Sequence, residues 1–243
     1  MGAEGTETGG DPAGRELRRL TEEISSLREE HRRFVHSVSH YLKAPLTALL
    51  GFSAFLVEEL EGDRNQDILH YVRRISENSR LMERMIDDLV FLSRLEKKEG
   101  GPCGLRVAVE AALAGLEDSR ERESVSVSVQ PDAPDMPLPR DHAVEIMSRL
   151  LSNAVRYSPP GADVRVGFRD GEFTVRDGGK GMKPDVLRRA FDLFFTTADK
   201  REGRTGGGLY IARAIAVLYG GTLRAESRSG GPTSMCLRIG SSA

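Results

Sequence analysis

The sequence predicts an α + α/β chain, in which a long antiparallel helical hairpin forming a dimeric four-helix bundle precedes an α/β sandwich. Three observations carry that expectation. Leu17, Leu20, Ile24, Leu27, Phe34 and Val38 recur at alternating spacings of three and four, with His31 filling the one gap, which is a heptad seam. A second helical period follows the polar break Gly62–Gln66. Past Glu96–Gly104, a hinge by composition, helical stretches interleave with short runs of two-residue alternation, the pattern of a layered α/β domain.

Composition narrows the function. The 243 residues allow one large domain or two small ones. With 35 Lys+Arg against 37 Asp+Glu the formal charge is −2, which gives no global electrostatic case for nucleic acid or anionic membrane as main partner. Trp is absent and aromatics make up 6%, so burial is mostly aliphatic, as in helical bundles. Cys103 and Cys236 lie far apart and lack metal-ligand spacing, so a reducing, cytoplasmic setting is expected. The best apolar run, Leu46–Val57, is short and interrupted by Gly51, so no membrane segment is expected. The first residues lack the basic and apolar regions of a signal peptide, and residues 1–15 read as a disordered tail.

The first helix is expected from Glu16 to about Leu60. Its narrow stripe cannot make a core alone, so a coiled-coil dimer is the direct inference. One amphipathic helix packed on its own domain is the alternative. The second helix runs from about Asp67 to Lys97. Ile68, Val72, Ile75, Met82, Ile86 and Leu89 keep the period, and Leu81, Met85, Leu92 and Leu95 widen the apolar face. A helix at Arg106–Ser119 and a strand at Ser124–Gln130, with Val125, Val127 and Val129 on one face, open the second half. A helix at Asp141–Tyr157 follows. Strands at Asp163–Arg169 and Glu172–Arg176 are joined by Asp170-Gly171, a two-residue hairpin signal. Helices at Pro184–Arg189 and Gly206–Tyr219, and strands near Thr222–Ser227 and Thr233–Ile239, complete the sandwich.

Four segments could carry chemistry. In Arg176–Met182 an Asp ends a strand and is followed by Gly178, Gly179 and Gly181. Glycines allow close backbone approach to a ligand, and the carboxylate can accept from an exocyclic amine; an ordinary Asp-Gly-Gly turn has the same residues. In Arg204–Ile215 a glycine run opens a helix, an arrangement suited to phosphates, with Lys200, Arg201 and Arg204 upstream. A mobile Gly-rich loop is the plainer reading. In Arg149–Gly161, Asn153 interrupts an apolar helix face, with Arg156 and Tyr157 on the same side. Its amide oxygen suits Mg²⁺ already carrying phosphates and waters, though a structural Asn is the plainer reading of this helix taken alone. In Phe34–Leu46, His36 and His40 stand four residues apart with no third metal ligand nearby. His40 falls off the heptad seam and should be exposed, and a neutral imidazole is a competent nucleophile at pH 7. Pro45 should bend the helix just beyond it.

Together these segments resemble the sensor histidine kinases of two-component signalling, in that family's order, from Phe34 to Ile239. SHYLKAPL resembles the H-box, RLLSNAVRY the N-box, DGGKG the G1 box, FDLFF the F-box and TGGGL the G2 box. The resemblance implies a dimerisation and histidine-phosphotransfer hairpin within residues 16–98, a hinge at 99–104, and a catalytic ATP-binding domain of the Bergerat (GHKL) type at 105–243. It implies His40 as phosphoacceptor, Asn153 as ligand of Mg²⁺, and Asp177 as adenine reader. Arg156, Tyr157, Gly179, Gly181, Thr205, Gly206 and Gly208 are implied around ATP, under a lid spanning about Phe191–Gly207. It further implies a homodimer and a response-regulator receiver domain as partner. Only Glu16–Arg33 precedes the H-box helix, so input is expected from a separate sensor protein or from a sensor domain outside this sequence.

Four positions depart from the family pattern. The residue after the implied phosphoacceptor is usually acidic, but here is Tyr41, and a phenol is a poor base at pH 7. Ala44 stands where phosphatase-competent members carry Thr or Asn. Arg204 and Gly207 replace a Gly and an apolar residue of the G2 box. Arg149 stands four residues before Asn153, where gyrase-type ATPases carry a water-activating Glu, and an Arg cannot be that base. A histidine phosphotransfer protein or pseudokinase scaffold with a degenerate ATP domain is the competing expectation.

Overall fold

The computed structural model describes residues 12–61, 68–116, 125–197 and 204–240. The chain divides into two compact units, residues 1–44 and 45–243. Expectations for the 1–11 tail, the Gly62–Gln66 break, Ser119, Lys200 and Arg201 lie outside the described residues.

Helix α1 spans Pro12–Glu61 and runs through Pro45 without a break. It therefore starts inside the stretch expected as tail. Proline removes one backbone hydrogen bond, but a long helix retains those on either side. Helix α2 spans Ile68–Ser93, ending four residues before the expected Lys97. Phe52 and Phe55 of α1 meet Tyr71 of α2, and Arg74 lies over the Phe52 ring. Rising numbers on one helix meet falling numbers on the other, so the pair is the antiparallel hairpin that the two periodicities predict. The buried positions of α2 are Asn78, Leu81, Met85 and Asp88, spaced three, four and three.

Part of α1 differs from expectation in one respect. Residues Arg32–Glu58 form a stretch of 27 residues with a window of mean hydropathy 1.2, long and apolar enough to cross a membrane by length and composition. The run expected from the sequence, Leu46–Val57, is the C-terminal part of this stretch, and the helix adds Phe34, Val35, Val38 and Leu42 ahead of it.

The second half is a five-stranded sheet covered on one face. Its elements are α3 (Leu105–Ala114), β1 (Ser126–Val129), α4 (Arg140–Tyr157), β2 (Asp163–Arg169), β3 (Glu172–Arg176), α5 (Pro184–Arg189), α6 (Gly208–Leu218), β4 (Thr222–Ser227) and β5 (Thr233–Arg238). The strand order is β1-β2-β3-β5-β4; β1 pairs parallel to β2 and the other pairs are antiparallel. At the β2–β3 hairpin Asp170 and Gly171 have φ of 53° and 79°, as a two-residue primed turn requires. Ala108, Val109, Ile146, Met147, Leu150, Ile211 and Ile215 from the helices close on Val164, Val166, Val175 and Leu237 of the sheet. This aliphatic layer is what the low aromatic content demands.

The composition-based hinge is anchored at both ends. The Lys98 backbone N–H donates to Tyr219 Oη at 3.1 Å, and Lys98 Nζ pairs with Asp141 at 2.9 Å. Cys103 exchanges two backbone hydrogen bonds with Met136. Phe91, Leu92 and Leu95 pack against the sandwich core, so the end of the hairpin and the sandwich share apolar surface. Cys103 and Cys236 are free and buried, and burial raises both thiol pKa values.

Candidate functional site

A cavity of about 1140 Å³ opens between α4, the β3–α5 loop, the segment before α6, and the end of α2. Asn153, Arg156, Tyr157, Asp177, Gly181, Thr205, Gly206 and Gly208 all line it. Sequence positions far apart are thus brought to one wall by α4 and by the two glycine segments.

Asp177 follows β3 and is 9% exposed. Its Oδ1 accepts the backbone N–H of Gly179 at 2.8 Å and of Thr233 at 3.2 Å. Burial raises its pKa, and those two donors oppose the rise. One oxygen is fixed by the protein and the second remains an acceptor, the arrangement needed to receive an amine N–H from a ligand. The neighbouring glycines serve chain packing more than ligand approach. A Cβ on Gly179 would sit 2.5 Å from the Tyr157 carbonyl, and Gly181 (φ +67°) lies against the Arg228 and Gly231 carbonyls.

Asn153 does not stand alone on its helix face. Arg204 donates to Asn153 Oδ1 at 2.8 Å and to the Ser152 carbonyl at 3.4 Å. The same guanidinium lies 5.6 Å from the Tyr157 ring centroid. The departure Arg204 and the expected metal ligand therefore meet. At the start of α6 the glycine run is partly satisfied from within, since the Gly207 N–H donates to Thr205 Oγ1 at 3.0 Å. A Cβ on Gly206 (φ +74°) would lie 2.5 Å from the Phe195 carbonyl, which ties the TGGGL and FDLFF segments together.

The histidine segment lies in the first compact unit. His40 is exposed on α1, as its position off the seam predicts, and the Tyr41 ring stands edge-on to it with centroids 5.4 Å apart. His36 is also exposed. Among the described residues no group of three or more His, Cys, Asp or Glu could hold a metal ion.

Residues 30–98 match the His Kinase A (phospho-acceptor) domain. Residues 139–242 match the histidine kinase-, DNA gyrase B- and HSP90-like ATPase family. The chain belongs to the histidine kinase family. This histidine kinase chain is 32% identical over 225 residues to the methanogenesis regulatory histidine kinase FilI of Methanothrix harundinacea, covering 88% of this chain and 25% of that protein. It is 30% identical over 220 residues to the histidine protein kinase DivJ of Caulobacter vibrioides, covering 85% and 37%. The chain spans a quarter to about half the length of such relatives. Among solved structures, Acinetobacter baumannii histidine kinase AdeS superposes with a TM-score of 0.58 at 19% identity, over 82% of this chain and 96% of that one. That likeness concerns the fold, which is the helical hairpin and Bergerat-type sandwich expected from the sequence.

Sequence reasoning missed Asp88. It lies on α2, 4% exposed, and lines the same cavity. Arg149 donates to its Oδ1 at 2.9 Å and Thr205 Oγ1 donates to its Oδ2 at 2.6 Å. Arg149 also reaches Glu145 at 2.8 Å. Burial of the Arg149 guanidinium opposes its charge, but Asp88 and Glu145 outweigh that and raise its pKa. The available signal was a carboxylate three residues beyond Met85 and seven beyond Leu81, on the apolar stripe itself.

Proposed function

We propose that this chain is an ATP-dependent protein-histidine kinase of a two-component system. It transfers the γ-phosphoryl group of ATP to a ring nitrogen of His40, then to an aspartate of a response-regulator receiver domain. The observation that carries the reading is Asp177, a buried carboxylate with one oxygen held by two backbone donors, in a cavity shared with Asn153, Tyr157 and the start of α6. Asp177 receives the exocyclic amine of adenine. Arg156 and Tyr157 flank the nucleotide, Gly181 lines its floor, Gly179 acts from behind by fixing the Asp177 carboxylate through its N–H, and Thr205, Gly206 and Gly208 face its phosphates. The sandwich, residues 105–243, is then the catalytic domain, residues 16–98 the hairpin that carries His40, and residues 99–104 the link between them.

Asn153 would hold Mg²⁺ through its carboxamide oxygen, a hard neutral donor, in exchange for the Arg204 guanidinium that this oxygen accepts from. Mg²⁺, bound with ATP, supplies charge neutralisation at the phosphates. Phosphoryl transfer forms an N–P bond to His40 and breaks the bond between the γ-phosphorus and the β–γ bridging oxygen, with ADP leaving. Catalysis is then mainly positioning. Tyr41 is a poor acceptor for the imidazole proton, so the step is slow or uses another base.

Assembly as a homodimer is supported by the apolar face of the hairpin. Leu46, Leu50, Val57 and Leu60 on α1, with Leu69, Val72, Ile86 and Val90 on α2, are exposed in the single chain. A four-helix bundle buries such a face. The apolar stretch Arg32–Glu58 is assigned to that bundle, because Lys43 near its middle would be costly in lipid. The hairpin then stands in the cytoplasm.

One observation favours a pseudokinase or phosphotransfer scaffold instead: Arg204 occupies the oxygen that the metal needs. Incubation with γ-labelled ATP and Mg²⁺, beside a His40→Gln control, separates the readings. Acid-labile, base-stable label that is lost in the control supports the kinase. Tight ATP binding without label favours the pseudokinase, and absence of both favours the scaffold.

A further inference from the structure

Three residues that look unrelated in the sequence meet at one point: Asp88 on an apolar stripe, Arg149 at the position four before Asn153, and Gly207 where the G2 box usually has an apolar residue. The Asp88 carboxylate accepts from Arg149 and Thr205. A Cβ on Gly207 would lie 2.5 Å from Asp88 Oδ2, so glycine is the residue that lets the carboxylate come this close to the start of α6. Gly207 precedes the first turn of that 11-residue helix. A cation, a hydroxyl donor and a helix N-terminus thus surround one carboxylate inside the cavity. These are the groups that receive phosphate oxygens elsewhere.

We propose that Asp88 is an internal stand-in for nucleotide phosphate. Asp88 holds Arg149 and Thr205; a nucleoside triphosphate displaces it and takes both donors. Arg149 is then a phosphate ligand of the loaded site. Because Asp88 belongs to α2 and its partners to the sandwich, the same exchange removes a polar tie between hairpin and sandwich. Nucleotide loading and release of that tie are one event. The proposal rests on the reading of the cavity as an ATP site.

Titration calorimetry with adenosine, ADP and ATP on the full chain tests it. Asp88→Asn keeps the shape and removes the competing charge. Gly207→Ala keeps the charge and crowds the carboxylate away from α6. Both variants are expected to bind ATP more tightly, roughly tenfold for Asp88→Asn, with a smaller gain for ADP and none for adenosine. A structural change of the whole site would shift all three ligands together. Folded variants with unchanged ATP affinity, or equal shifts for all three ligands, overturn the proposal while leaving the ATP site intact. Failure of wild type and both variants to bind any of the three overturns the functional reading as well.

Discussion

Arg204 donates to Asn153 Oδ1 at 2.8 Å, so the carboxamide oxygen expected to face a metal ion already faces a guanidinium. Two cations sharing one carbonyl oxygen repel each other, so Arg204 is expected to compete with a Mg²⁺ ion held there. Arg204→Gln is expected to lower the Mg²⁺ concentration needed for half-maximal ATP binding, by roughly three- to tenfold. An unchanged Mg²⁺ midpoint would show that the two cations do not share the oxygen.

Asp177 ties affinity against stability. Its pKa is raised chiefly by burial, so at pH 7 its charged form is held in the folded state at a cost relative to the unfolded chain. Asp177→Asn keeps an oxygen for the Gly179 and Thr233 donors but turns the second acceptor into a donor. Melting of the nucleotide-free variant should occur at or above the wild-type temperature, while ATP binding is lost. A large fall in Tm would mean the carboxylate is needed for folding.

His142 gives the sandwich an acid limit. It is buried, and its Nδ1 lies 2.8 Å from Tyr219 Oη. Burial first, and then the Lys98 charge, lower its pKa below 6.5. The unfolded chain therefore takes up the proton first as pH falls, and stability declines from about pH 6.5 until the lower, folded-state pKa is passed. His142→Gln should remove that part of the decline in a Tm-against-pH series, and a profile identical to wild type would count against it.

The hairpin should dimerise through the face that the single chain exposes. Leu50 is 64% exposed. Leu50→Glu is expected to shift sedimentation from dimer to monomer, and an unchanged dimer would place the interface on another face.

Tyr41 and Ala44 are expected to set the balance of activities. Tyr41→Glu should raise the initial autophosphorylation rate, roughly ten- to a hundredfold if proton acceptance limits it. Wild type should show little phosphatase activity toward a phosphorylated receiver, since Ala44 has no group to orient water. Rapid receiver dephosphorylation by the wild-type protein would refute the second expectation.

The sequence alone determined the elements and the family. Heptad spacing, two-residue alternation and the Asp170-Gly171 turn are local signals, set by which side chains fall on one face and which φ values a residue tolerates. They place β2, β3, α5 and β4 to the residue, and the family resemblance implied that Asn153, Tyr157, Asp177 and Gly206 gather around one ligand, in what the structure shows as one cavity. Helix ends were less legible, because α2 stops where its side chains reach the sandwich and not where its period fades. Only the tertiary structure decided what fills the site. Asp88 and Arg149 are 61 residues apart, and Arg204 and Asn153 are 51 apart. No local pattern registers a contact between residues so far apart in the chain. Arg149, Arg204 and Gly207 read singly as departures from a motif; the reason for Arg149 and Gly207 is a buried carboxylate on α2, and for Arg204 a carbonyl oxygen on α4.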